Sequence, residues 1–190
     1  MIARIVDRLV EALIAYAMRT PYFHLPDYMN RYWVLKPRWW TFGCSIRVHQ
    51  ILRSDDDRHL HDHPWAFMTV ILRGGYTEVL EQAVVEYSQL NGLAPSRWRM
   101  VEWQVLPGPF LLRAFGRRCK PGSVIFHRAR DAHRLIVPPG RHAWTLFFMG
   151  PRRQEWGFYT EEGKVPWNVY LPSEEATWQK REHAKHGVAE

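Results

Sequence analysis

The stretch Arg58-His59-Leu60-His61-Asp62-His63-Pro64-Trp65 spaces three imidazoles two residues apart, just ahead of a strand-like run from Ala66 to Arg73. Side chains alternate faces along an extended backbone, so His59, His61 and His63 share a face with Trp65, Phe67, Thr69 and Ile71, while Leu60 and Asp62 point away. Neutral imidazole is a borderline ligand that suits zinc, iron, nickel or copper, and this spacing lets adjacent rings reach one ion. The bland alternative is a polar loop of solvated histidines. A second chemically loaded stretch runs from Lys120-Pro121-Gly122 through Ser123 to His127, then on to Asp131-Ala132-His133-Arg134-Leu135. Pro-Gly sets a turn, a short strand follows, and a further histidine precedes another strand at Leu135 to Val137.

Together the two stretches resemble the paired motifs of the cupin superfamily, in which a His-x-His and a later single histidine converge on one metal inside a small β-barrel. His61 and His63 match the first pair, Gly74 falls where that motif has its glycine, and the interval from Gly122 to His133 matches the second motif. The resemblance implies one divalent transition metal on His61, His63 and His133, with Fe(II) favoured and Zn, Mn or Ni as alternatives. The chain departs from the pattern where the glutamate ligand is expected. That position is Phe67, whose ring cannot coordinate and is read instead as an apolar wall of the site. His59 has the parity to replace the missing carboxylate. Val137 stands where an asparagine is often found. His61-Asp62-His63-Pro64-Trp65, Trp144-Thr145-Leu146-Phe147 and Trp156-Gly157-Phe158 also look like a group of uncharacterised cupin-like proteins of bacteria and their phages.

Asp62 faces away from the proposed ligands and is read as a supporting residue, accepting a ring N–H or pairing with an arginine on a neighbouring strand. The run Asp55-Asp56-Asp57 reads as a solvated loop. Arg47 and His49 share a parity with Ile51. They bind a substrate anion if that face is the barrel interior, but hydrophobicity favours Ile46, Val48 and Leu52 as core with Arg47 and His49 outward. A dication held by neutral histidines favours an anionic small molecule, with Arg134, Arg47 and Arg73 as candidate contacts.

The elements that must position these groups are mostly strands. Runs at 31–36, 41–52, 76–81, 97–105, 110–115 and 144–149, separated by glycine and proline turns, describe an all-β cupin-like barrel of the double-stranded β-helix or jelly-roll kind. Gln89 to Arg99 reads as a loop or hairpin. Ile2, Ile5, Val6, Leu9, Leu13 and Ala17 recur at helical spacing, an amphipathic N-terminal helix that packs on the barrel or on a second copy in a homodimer. Ser173 to His186 reads as a short polar C-terminal helix. The 190 residues, 46% of them hydrophobic, fit one domain: helix and connection over 1–30, barrel over 31–172, tail over 173–190. Charges interrupt every apolar run long enough to span a bilayer, and two cysteines without a framework suit the cytoplasm.

The net charge of +7 is spread over several arginine clusters with no helix-turn-helix, zinc-finger or RNA-binding signature, so nucleic acid is not the expected partner. Three classes remain: an iron(II) oxygenase acting on a small anion, a metal-dependent isomerase or lyase of a sugar or small acid, and a binding module that performs no chemistry.

Overall fold

The computed structural model describes residues 2–22, 24–55, 59–86, 88 and 96–185, without the side chains at 175, 176 and 183–185. Twelve strands are described: β1 (Met29–Leu35), β2 (Ser45–Ile51), β3 (Leu60–His61), β4 (Trp65–Arg73), β5 (Tyr76–Glu86), β6 (Arg99–Val105), β7 (Phe110–Cys119), β8 (Val124–His127), β9 (Arg134–Ile136), β10 (Ala143–Arg152), β11 (Gly157–Thr160) and β12 (Gly163–Pro166). Helix α1 (Ile2–Ala17) precedes them; α2 (Trp167–Tyr170) and α3 (Ser173–Lys185) follow.

One sheet has the order β1-β2-β10-β4-β8 and the facing one β6-β7-β5-β9. A bridge between His61 and His133 adds β3 beside β9, and β3 also joins the small β12-β11-β3 sheet. All pairs are antiparallel. Leaving out the edge strands β1 and β6, the pairing is first with last: β2 with β10, β3 with β9, β4 with β8, β5 with β7. Such a folded-back ribbon, its pairs alternating between two sheets, is a jelly roll. It brings the two histidine stretches, far apart in sequence, onto one hydrogen-bonded bridge.

Two glycines allow this winding. Gly74, at φ +73°, turns β4 into β5, and a Cβ there would lie 2.0 Å from the His142 carbonyl oxygen. At Gly116 of β7 a Cβ would lie 1.8 Å from the Glu78 carbonyl oxygen, so only glycine lets β7 approach β5 at that point.

The sequence expectation for β2 is corrected here. Arg47, His49 and Ile51 face the barrel interior, while Val48 is buried on the outside against Ile14 and Ala17 of α1 and Tyr32 of β1. Both faces of β2 are therefore covered, so the apolar parity does not mark the interior. The same helix receives Trp144 and Leu146 of β10, leaving Thr145 and Phe147 to face inward. Only the later turns of α1 dock; Ile2, Ile5, Val6 and Leu9 are exposed. No helix among the described residues is long and apolar enough to cross a membrane.

Candidate metal centre

The ligand atoms of His61, His63 and His133 all lie within 4.8 Å of one another in the barrel wall. Each ring is placed by backbone pairing. The His61 and His133 amides exchange hydrogen bonds at 3.0 and 2.9 Å, and the His63 amide donates to the Ala129 carbonyl at 3.1 Å. Nε2 of His63 and Nε2 of His133 are 2.9 Å apart. Burial, reinforced by the neighbouring imidazoles, pushes the His63 pKa well below the ordinary histidine value. It is therefore neutral near pH 7, the form that ligates metals.

Behind His133 stands a carboxylate that parity around the histidines does not reveal. Glu78 of β5 is 1% exposed and accepts from His133 Nδ1 at 2.7 Å, His127 Nε2 at 2.7 Å and Arg117 Nε at 2.7 Å. Burial works to raise its pKa, but the hydrogen bonds from His127 and His133 outweigh burial, holding it well below the usual carboxylate range. An ionised carboxylate only accepts, so His133 carries its proton on Nδ1 and turns the lone pair of Nε2 toward His63. This is the carboxylate–histidine arrangement that orients metal ligands.

Glu78, His127 and His133 form a second group whose ligand atoms lie within 4.8 Å of one another. The guanidinium of Arg117 already neutralises Glu78 there, with Nη2 3.4 Å from His127 Nε2, and a dication in that position meets a fixed positive charge. His61, His63 and His133 all line a cavity between the sheets.

The other candidates separate clearly. Phe67 is 3% exposed and lies in the site wall, its ring centroid 4.8 Å from His63, 4.9 Å from His127 and 4.8 Å from Phe147. His59 belongs to neither ligand group; its Nδ1 meets the Tyr170 hydroxyl at 2.8 Å. The strand carrying these residues covers only Leu60–His61, so the alternation expected from His59 onward does not begin until His61.

Asp62 is fully buried on the opposite face, but its partners are neither a ring nor an arginine. Lys164 Nζ donates at 2.6 Å, Gln154 Nε2 at 2.7 Å, the Gly157 amide at 2.8 Å and the Tyr159 hydroxyl at 3.2 Å. It ties β11 and β12 to β3.

Two arginine candidates fall away from the site. Arg73 is exposed at the end of β4 and pairs with Glu11 of α1 at 3.1 Å. Arg134 follows His133 on β9, so alternation turns it outward, where it pairs with Glu102 of β6. Arg47 is 2% exposed and lines the cavity, as does His49.

Asp55 also departs from the solvated-loop expectation: it accepts from the Tyr28 hydroxyl and from the Leu135 amide at 2.8 Å, with Oδ2 3.9 Å from His61 Nδ1. Asp56, Asp57 and residues 89–95 of the expected loop or hairpin lie outside the described residues.

Sequence signals for His127 and Glu78 exist, and Glu78 is the one general base that the sequence offers besides the histidines. His127 shares parity with Ile125 in a short apolar strand, and Glu78 interrupts a run of strand-forming residues. The histidines open onto a cavity of about 830 Å3 between the sheets, lined among others by Arg47, His49, Phe147, Trp156, Phe158 and Tyr170.

No protein-family model matches the chain, and no curated protein matches it. Among solved structures it is similar to the polyketide cyclase RemF from Streptomyces resistomycificus, at 13% identity and TM-score 0.48 over 83% of this chain and 91% of that one. A cupin 2 conserved barrel domain protein from Rhodopseudomonas palustris gives 13% identity and TM-score 0.42 over 76% and 78%. Hydroxypropylphosphonic acid epoxidase from S. wedmorenis gives 11% and 0.45 over 70% and 56%. Likenesses this loose leave the assignment to the strand pairing and the site. The barrel is a cupin-like jelly roll.

Proposed function

We propose that this cupin-like protein is a metal-dependent enzyme holding one divalent transition metal on His61, His63 and His133, and that it carries out iron(II)-dependent oxygenase chemistry on a small anionic molecule. The observation that carries the reading is the fixed ring of His133, bound at Nδ1 by Glu78 with Nε2 2.9 Å from His63 Nε2. Two ligand bonds of about 2.0–2.1 Å meeting near a right angle put their nitrogens roughly 3 Å apart, so the rings need little movement to share an ion. Three neutral imidazoles also suit Zn, Mn or Ni; iron(II) is preferred because the set leaves coordination positions open toward a cavity large enough for an organic substrate.

Bound there, the ion would supply a Lewis acid and a redox centre. The chain supplies the rest. Glu78 fixes the His133 tautomer, Phe67 closes one side of the site to water, and the aromatic wall of Trp156, Phe158 and Tyr170 shields the cavity. Cys44 and Cys119 are unpaired, in keeping with a reducing cytoplasm.

Protein purified without chelator is expected to carry about one equivalent of metal by elemental analysis, and the His61→Ala/His63→Ala double variant essentially none. Full metal content in the double variant would remove the claim. Oxygen uptake by the iron(II)-loaded protein with a panel of small acids tests the oxygenase class; turnover without oxygen uptake points to isomerase or lyase chemistry instead.

A further inference from the structure

The cavity wall formed by β2 carries polar atoms that the described residues do not satisfy. Arg47, 2% exposed, has no hydrogen-bond partner at Nε or Nη2, and His49, 7% exposed, has none at Nε2. Trp65 Nε1 is in the same position, and all three residues line the cavity together with His61, His63 and His133. A buried polar group left unpaired is destabilising, and more so when charged. A cluster of such groups on residues that line one cavity points to a partner that the chain itself does not provide.

The geometry of Arg47 narrows that partner. Its guanidinium carbon lies 4.6 Å from the ring centroid of Tyr22 and 4.5 Å from that of Trp33, with Trp65 at 5.9 Å. These cation–π contacts hold the guanidinium in place. The two unpartnered donors, Nε and Nη2, are neighbours along one edge, a fork that matches the two oxygens of a carboxylate. Burial lowers the Arg47 pKa to about 10, which still leaves a cation at neutral pH. His49 is kept neutral, its pKa pushed well down by burial and then by Arg47 and Arg31. It therefore offers a hydrogen bond rather than a second charge.

The route from Arg47 to the metal centre is apolar. Arg47 stands opposite Phe147 in the β2–β10 pairing, the Phe147 ring lies 4.8 Å from Phe67, and Phe67 lies 4.8 Å from His63. Trp156, Phe158 and Leu171 continue this lining, and a cavity of about 830 Å3 is far larger than a two-carbon acid needs.

We propose that Arg47 is the carboxylate-binding residue of this site and that the substrate is an organic acid with a hydrophobic, ring-sized body lying between Arg47 and the histidines. The proposal rests on the metal-site reading for its chemistry, but carboxylate binding at Arg47 requires no metal.

Calorimetric titration of the full chain, as purified and after chelator treatment, tests it with 3-phenylpropanoate, the neutral 3-phenylpropan-1-ol, acetate and inorganic phosphate. The phenyl acid is expected to bind with and without metal, at least tenfold tighter than the alcohol, acetate or phosphate. Arg47→Met should weaken it at least tenfold, Arg47→Lys should fall between, and exposed Arg128→Met should leave it unchanged. Undiminished binding by Arg47→Met, equal binding of acid and alcohol, or phosphate binding as tight as the acid would each overturn the proposal. Should Arg47→Met not fold, Arg47→Lys and the acid–alcohol comparison on the unmodified protein decide it. Acid binding lost on metal removal but insensitive to Arg47 places the anion on the ion, sinking this proposal and sparing the metal reading. Arg47-dependent binding in protein that never takes up metal sinks the metal reading alone.

Discussion

Glu78 and Asp62 are both buried carboxylates, at 1% and 0% exposed, and both are fully engaged, yet they serve opposite sides of the same wall. Glu78 faces inward and spends its bonds on Arg117, His127 and His133. Asp62 faces outward and collects Lys164, Gln154, Tyr159 and the Gly157 amide. Burial and satisfaction therefore do not separate site from scaffold. The distinction lies one bond further out: a partner of Glu78, His133, has a second nitrogen turned to another imidazole, whereas the partners of Asp62 lead into the β11–β12 hairpin and, through Gln154, to the backbone carbonyls of His63 and Ala129 but to no imidazole nitrogen.

The comparison is broken most directly at Asp62. Asp62→Ala takes the acceptor from the Gly157 amide and the Tyr159 hydroxyl and the counter-charge from Lys164, itself about a third exposed, while Lys164 and Gln154 keep backbone acceptors, and should lower unfolding free energy by about 2 kcal/mol in urea denaturation. The metal content of its folded fraction should stay as in the parent; loss of metal affinity beside normal folding would make Asp62 part of the site. Glu78→Gln should do the reverse, weakening metal affinity about 10–100-fold with a smaller change in stability. Unchanged affinity would detach Glu78 from the centre.

Arg117→Met sharpens the account of how Glu78 is held. Arg117 is a third exposed, so its ion pair should contribute no more than about 1 kcal/mol, read as a small drop in melting temperature. At neutral pH the smallest effect is expected at Cys119, where the thiol stays protonated folded or unfolded. Burial and then the charge of Glu78 raise its thiol to about 12 from an ordinary 9.0. A raised acid makes its contribution below the unfolded value, so stability is lost as pH climbs from about 9 toward 12. Cys119→Ser should flatten that alkaline slope, and alkylation at neutral pH should label exposed Cys44 while Cys119 reacts only after unfolding.

Much of this barrel was legible in the order of residues. Strand runs, turn glycines, the terminal helices and the parity of His61 and His63 all follow from periods of two and 3.6, which are local. Phe67 could be placed on the histidine face by counting alone. What counting could not supply is which strands become neighbours. Glu78 meets His127 and His133 across 49 and 55 residues, through pairings of β5 with β9 and of β4 with β8 that no local pattern encodes. Arg47 faces inward against its hydrophobic parity for a related reason. Hydrophobic parity names the buried face of a strand only when the other face meets water, and α1 covers the outside of β2. The sequence by itself determined which residues alternate together and which of them are able to ligate. Tertiary contacts settle which face becomes the interior and which carboxylate stands behind the histidines, because those depend on contacts between segments whose spacing along the chain carries no periodic signal.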